Sequence, residues 1–223
     1  MLRRGYVELI GITDPRYEGR MRADLELYEG LHLVAFGTSD AMAAAQGVRA
    51  AGFHAADPRI MERPIEDDGK EKLARFEIVD FPADTLSGSR LFAIRHATPD
   101  LLWKPELMIH PNGAERLEAV VIAAEDPAKM AVRLGRLLSI APLKDTLSLA
   151  AGRLRIVDGA WIAAHVPGQS PALPFIAGLT LGVRDLDATA DWLTTSGVGF
   201  ERFPGGLRVA PSEGCGAFIE FVG

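Results

Sequence analysis

The chain has 223 residues, 48% hydrophobic and 24% charged, with a formal net charge of -6; this is globular composition with material for one large core or two small ones. The acidic balance argues against a nucleic-acid partner, since phosphate binding needs clustered Lys and Arg, and no run approaches the roughly 18–20 apolar residues of a membrane span. The single cysteine, Cys215, leaves no intrachain disulfide or Cys-based zinc site and reads as a structural thiol in a reducing cytoplasm.

In chain order, Met1 to Gly11 is too short and mixed for a signal peptide. Within it, Tyr6-Val7-Glu8-Leu9-Ile10 reads as a strand, and the charged stretch 12–29 reads as loop or short helix. Three segments then repeat one pattern: a short apolar run, an Asp, and a dozen helical-looking residues. They start at Leu33, Ala119 and Leu179. Asp40, Asp126 and Asp185 have the place of N-caps, whose side chains accept bonds from unpaired backbone N–H groups. Pro127 suits a first helical turn. Gly52 and Gly197 suit helix stops. Each helix is followed by strand-like text ending in an apolar run: Leu91–His96, Ala160–His165 and Ala217–Phe221. Gly205-Gly206 reads as a hairpin turn.

The pattern predicts an α+β fold of repeated β-α-β-β-β modules with curved, mostly antiparallel sheets and helices outside. The modules span roughly 31–97, 116–166 and 176–222, joined by Pro-punctuated connections at 98–115 and 167–175. Two domains are expected. Residues 1–110 hold the last strand of a first module plus a complete second one, and 111–223 hold the third and fourth modules as a pair.

The sequence resembles the vicinal oxygen chelate superfamily, and within it the glyoxalase-like domain proteins. The resemblance rests on Tyr6–Gly11, Gly30–Thr38, Leu91–His96, Pro99-Asp100-Leu101-Leu102-Trp103 and His110-Pro111-Asn112-Gly113-Ala114. It implies a cup between paired modules. There, a His from each first strand and a Glu from each last strand hold a divalent metal that polarises neighbouring substrate oxygens. By that likeness the chain opens on the last strand of a truncated first module. Glu8 falls at a last-strand Glu, as metal ligand or general base, and His32 at a first-strand His. Arg95 stands where the next Glu is expected, and a guanidinium cannot ligate a cation. The later first-strand positions hold Ala119 and Gly178; the later last-strand positions hold Ala164 and Glu220.

The functional expectations are therefore divided. One is a metal-dependent lyase, isomerase or dioxygenase with an incomplete site at Glu8 and His32. The other is a metal-free binder of a small anionic ligand, with Arg95 on the anion and Trp103, His110 and Asn112 near the ligand. A third is a non-catalytic dimerisation scaffold. Either a divalent metal or no cofactor is compatible with these residues. The partners expected are a small-molecule ligand and a second copy in a homodimer, in the cytoplasm, with no nucleic acid and no membrane. Each residue also has a structural alternative. Glu8 can pair with Arg95, His32 can hold a packing hydrogen bond, and His96 points away from the face of Arg95. Turn chemistry explains Asn112, and Trp103 can anchor its linker.

Overall fold

The computed structural model describes residues 1–169 and 171–223. The first repeat is complete. Strand β1 (Leu33–Gly37) leads into helix α2 (Ala41–Ala50), followed by β2 (Arg59–Asp67), β3 (Lys70–Asp80) and β4 (Arg90–His96); helix α1 (Arg20–Leu27) precedes them. These strands form a four-stranded sheet in the order β1-β4-β3-β2, with β1 parallel to β4. Asp40 caps α2 by accepting from Ala43 N at 2.9 Å.

The last repeat is complete too: β8 (Phe175–Val183), α5 (Leu186–Thr195), β9 (Phe200–Phe203), β10 (Gly206–Val209) and β11 (Phe218–Val222). The expected hairpin joins β9 to β10, and Gly205 sits there at φ +86, where a side chain would be strained. The middle repeat departs from the pattern. It runs β5 (Ala114–Ala123), α3 (Pro127–Leu138), β6 (Thr146–Leu149) and β7 (Gly152–Val157), and then helix α4 (Gly159–His165) stands where a strand was expected. Asp158 explains the difference, because its carboxylate accepts from Trp161 N at 2.7 Å and starts a helix on Ala-rich text. A six-residue apolar run does not by itself separate strand from helix. Ala164 therefore occupies no last-strand position.

Middle and last repeats merge through antiparallel β5 and β8 into one seven-stranded sheet, β6-β7-β5-β8-β11-β10-β9. Helices α2 and α3 pack into a core shared by both sheets, with Val34, Ala45, Val48, Leu91, Ala93, Ile122, Leu134 and Ile156 all buried. No helix among the described residues is long and apolar enough to cross a membrane.

Tyr6–Ile10 forms no strand. The backbones of Arg3 and Arg4 pair with Glu115 and Leu117 beside β5, and Gly5, at φ +82, then turns the chain away. Past that point the chain pairs with no strand among the described residues, and Leu9 and Ile10 are 87% and 58% exposed. Ahead of the turn, Leu2 is buried against β8 and α5.

Candidate functional site

Strand register sorts the first sheet into two faces, because residues directly opposite on paired strands share a side. Val79, Leu91 and Ala93 face α2. The other face, away from α2, has an apolar floor of Ala74, Phe76, Ile78, Phe92 and Ile94. On β2, β3 and β4 that second face carries five cations (Arg59, Arg63, Lys70, Lys72, Arg90) against two carboxylates (Asp67, Asp80). The α2 face carries Glu62, Glu66, Glu71 and Glu77 against Arg75 and Arg95. In a chain of net charge -6, the face away from α2 is basic by three charges and its reverse acidic by two.

The same register corrects the expected orientation of Arg95. It lies on the α2 side, where Nη1 donates to Glu77 Oε1 at 2.6 Å. Its neighbour His96 is on the other face, opposite Phe76. On the face away from α2, Arg59 and Arg90 share Asp80 at 2.8 and 3.0 Å.

His96 sits among ring edges: Trp103 at 4.8 Å, Phe76 at 5.4 Å and Tyr6 at 5.7 Å between centroids, all near perpendicular. Burial lowers its pKa, favouring the neutral imidazole. Tyr6 is pushed up to about 12, chiefly by burial and secondarily by the charge of Glu8. Glu8 is exposed and makes no ion pair with Arg95 among the described residues.

Trp103 and His110 tie the linker to the start of the chain. Trp103 Nε1 donates to Leu2 O at 3.1 Å, and His110 Nε2 lies 2.6 Å from Met1 O. Asn112 Oδ1 accepts from Ala114 N at 3.1 Å, the turn role its sequence suggested. Trp103 alone of these three joins the His96 cluster. His32 lies elsewhere, tilted 34° against Tyr28 at 4.3 Å, with Nε2 3.0 Å from Tyr28 O and Nδ1 buried without a hydrogen-bond partner among the described residues.

The seven-stranded sheet holds a second polar centre. Glu220, 1% exposed, accepts from Arg208 Nη2 at 2.9 Å, Arg155 Nη2 at 3.2 Å and Thr180 Oγ1 at 2.9 Å. Trp161 of α4 lies against both guanidinium groups, 4.7 Å from Arg155 and 5.5 Å from Arg208. Arg208 Nη1 also donates to His165 O at 3.2 Å. Burial raises the Glu220 pKa, but the Arg155 charge and the bonds from Arg208, Thr180 and Arg155 outweigh this and hold it below the usual glutamate value. The sequence did not identify Arg155 and Arg208; their alternation with Leu154, Ile156, Leu207 and Val209 was the available signal.

The donor set does not fit a divalent metal. Glu8 and His32 share no bond, and Glu220 is engaged by two cations. Among the described residues no group of three or more His, Cys, Asp or Glu could hold a metal ion. His32 has the posture of a ligand, one nitrogen bonded to a carbonyl and the other free, but lacks companions.

The glyoxalase-like domain family model matches residues 1–138. The chain belongs to that family. No curated protein matches it. Among solved structures it is similar to a hypothetical protein from Staphylococcus aureus, at 13% identity and TM-score 0.53, over 83% of this chain and 63% of that one. The chain thus spans under two thirds of that protein's length, and the likeness is one of fold. It is also similar to methylmalonyl-CoA epimerase from Mycobacterium tuberculosis, at 18% identity and TM-score 0.41, covering 52% of this chain and 91% of that one. A Streptomyces coelicolor methylmalonyl-CoA epimerase in complex with 2-nitronate-propionyl-CoA stands at 15% identity and TM-score 0.39, covering 49% and 96%.

Proposed function

We propose that this glyoxalase-like protein binds a small organic anion with an apolar body, without a metal held by its own residues, on the cup side of the first sheet. The observation that carries the reading is the charge sorting of that sheet: a basic rim around Phe76, Ile78, Phe92 and Ile94, in an acidic chain. Arg59 and Arg90 take the carboxylate or phosphate, because guanidinium groups match such oxyanions geometrically. His96 and Trp103 wall the far end. The metal-dependent lyase, isomerase or dioxygenase expected from the resemblance would need donors from another chain.

Sodium octanoate, with 1-octanol as neutral comparator, tests the reading by calorimetry. Octanoate is expected to bind and octanol to bind more weakly. Losing one charge-assisted bond in Arg90→Ala should weaken octanoate about tenfold, and Arg95→Ala should not. Absent octanoate binding, or equal losses in the two variants, would overturn the proposal.

The same reading takes the protein as a cytoplasmic homodimer, with 1–110 and 111–223 as its two domains. Strand β1 supports the dimer: it pairs in a ladder only with β4 and leaves an open edge, whereas β5 and β8 close on each other. Light scattering at micromolar concentration tests it, and a monomer would count against it.

A further inference from the structure

The segment between Gly5 and Tyr28 differs in kind from the rest of the chain. Both flanks are fixed: Leu2 is buried in the core and Arg3 and Arg4 bond to β5, while Tyr28 Oη donates to Leu31 O at 2.6 Å. Between them, the hydrogen bonds and ion pairs made by residues 6–27 stay local. Asp14 pairs with Arg16, Arg20 with Asp24, and Arg22 donates to Tyr17 O and Pro15 O. Among the described residues none reaches the body of the protein. Helix α1 buries no residue, and Leu9, Leu25 and Leu27 are 87%, 47% and 62% exposed.

Side-chain contacts touch the body near opposite ends of β4. The Tyr6 ring meets His96, the last residue of the strand, at 5.7 Å. Leu27 Cδ1 lies 3.3 Å from where a Cβ on Gly88, just before the strand, would stand. The two contacts of the segment thus lie beside the two ends of β4. The segment carries Glu8, Asp14, Glu18, Asp24 and Glu26 against Arg16, Arg20 and Arg22, a net of -2, the opposite sign to the basic face of the first sheet. The floor on the side away from α2 is covered, with Ile78 and Ile94 2% and 4% exposed and Leu102 of the linker packed against it.

We propose that residues 6–27 form an acidic strap over the first-sheet cup, which competes with the anionic ligand and lifts when the ligand enters. The inference rests on the binding reading above and adds its regulation. Low local stability is what such a gate requires: few contacts to break, with flanks that hold. A site open only part of the time binds with its affinity reduced by the open fraction, so loosening the strap tightens binding.

Trypsin cleavage at Arg16, Arg20 and Arg22, followed by mass spectrometry with and without octanoate, reads the strap directly. Octanoate should speed cleavage. Tyr6→Ala and Leu27→Ser, each losing one contact to the body, should bind octanoate about fivefold tighter than wild type. Leu27 is exposed, so its variant folds even if Tyr6→Ala does not. Cleavage slowed or unchanged by bound octanoate, or unchanged affinity in Leu27→Ser, overturns the strap and leaves the binding reading standing. No octanoate binding in wild type or Leu27→Ser removes the binding reading, and the strap proposal with it.

Discussion

Arg208 closes on Glu220 with two bonds to the same carboxylate oxygen, from Nη2 at 2.9 Å and Nε at 3.3 Å. The sequence repeat put Glu220 at an expected last-strand position; its carboxylate is held by guanidinium groups. Removing one partner of a buried pair leaves the other charge uncompensated, so Glu220→Gln should cost about 3–5 kcal/mol by denaturant unfolding. Because the folded pKa is lowered, the unfolded chain binds the proton more readily. The stabilisation is present above the ordinary value of 4.5 and is lost as pH falls through the folded pKa. The variant's stability should accordingly fall less than wild type's below pH 4.5. Parallel pH curves would contradict the account.

Gly178 is the residue that the sequence repeat set at an expected first-strand His position. A Cβ there would lie 2.5 Å from Phe218 O and 2.6 Å from the Phe218 ring. Backbone cannot yield cheaply at the centre of a sheet, so Gly178→Ala should destabilise by about 1–3 kcal/mol. Gly178→His should unfold the chain before it creates a metal site. A stable Gly178→His variant that binds nickel would show the close approach to be unimportant.

Much of the fold was legible because its signals are local. Asp40, Asp126 and Asp185 cap helices as read, and Gly52 and Gly197 stop them at φ +83 and +72. The site was less legible because it depends on parity and partners. Whether Arg95 or His96 lies on the face away from α2 turns on a single residue of strand register, and that was fixed only by the pairing of Glu77 with Arg95. Tyr6–Ile10 has strand composition but meets no edge, and Ala160–His165 has strand-like hydrophobicity but carries a helix cap before it. Neither partner nor cap competition can be settled from composition alone.

Arg155 and Arg208 both lie against Trp161, which makes the helix in place of a strand a structural cover. Trp161→Ala should cost about 3–5 kcal/mol through lost packing and exposure of the ion pair. Trp161→Phe keeps an aromatic face and should recover much of that. Equal losses in the two would assign the effect to size or fold and dismiss the cation contacts.

His96 links stability to the proposed ligand. Its folded pKa is depressed below 6.5 by burial. The unfolded chain therefore takes up the proton first as pH falls, and the contribution of His96 to stability is complete above 6.5 and lost through the lower folded pKa. His96→Phe should flatten thermal stability across that window. An octanoate carboxylate in the same cup favours the imidazolium, so bound octanoate should raise the His96 pKa, and octanoate should bind more tightly as pH falls toward it. Imidazole proton shifts followed by NMR, with and without octanoate, measure both directions. A His96 pKa at or above 6.5 in the free protein would refute the burial argument, and one unmoved by bound octanoate would place the anion elsewhere.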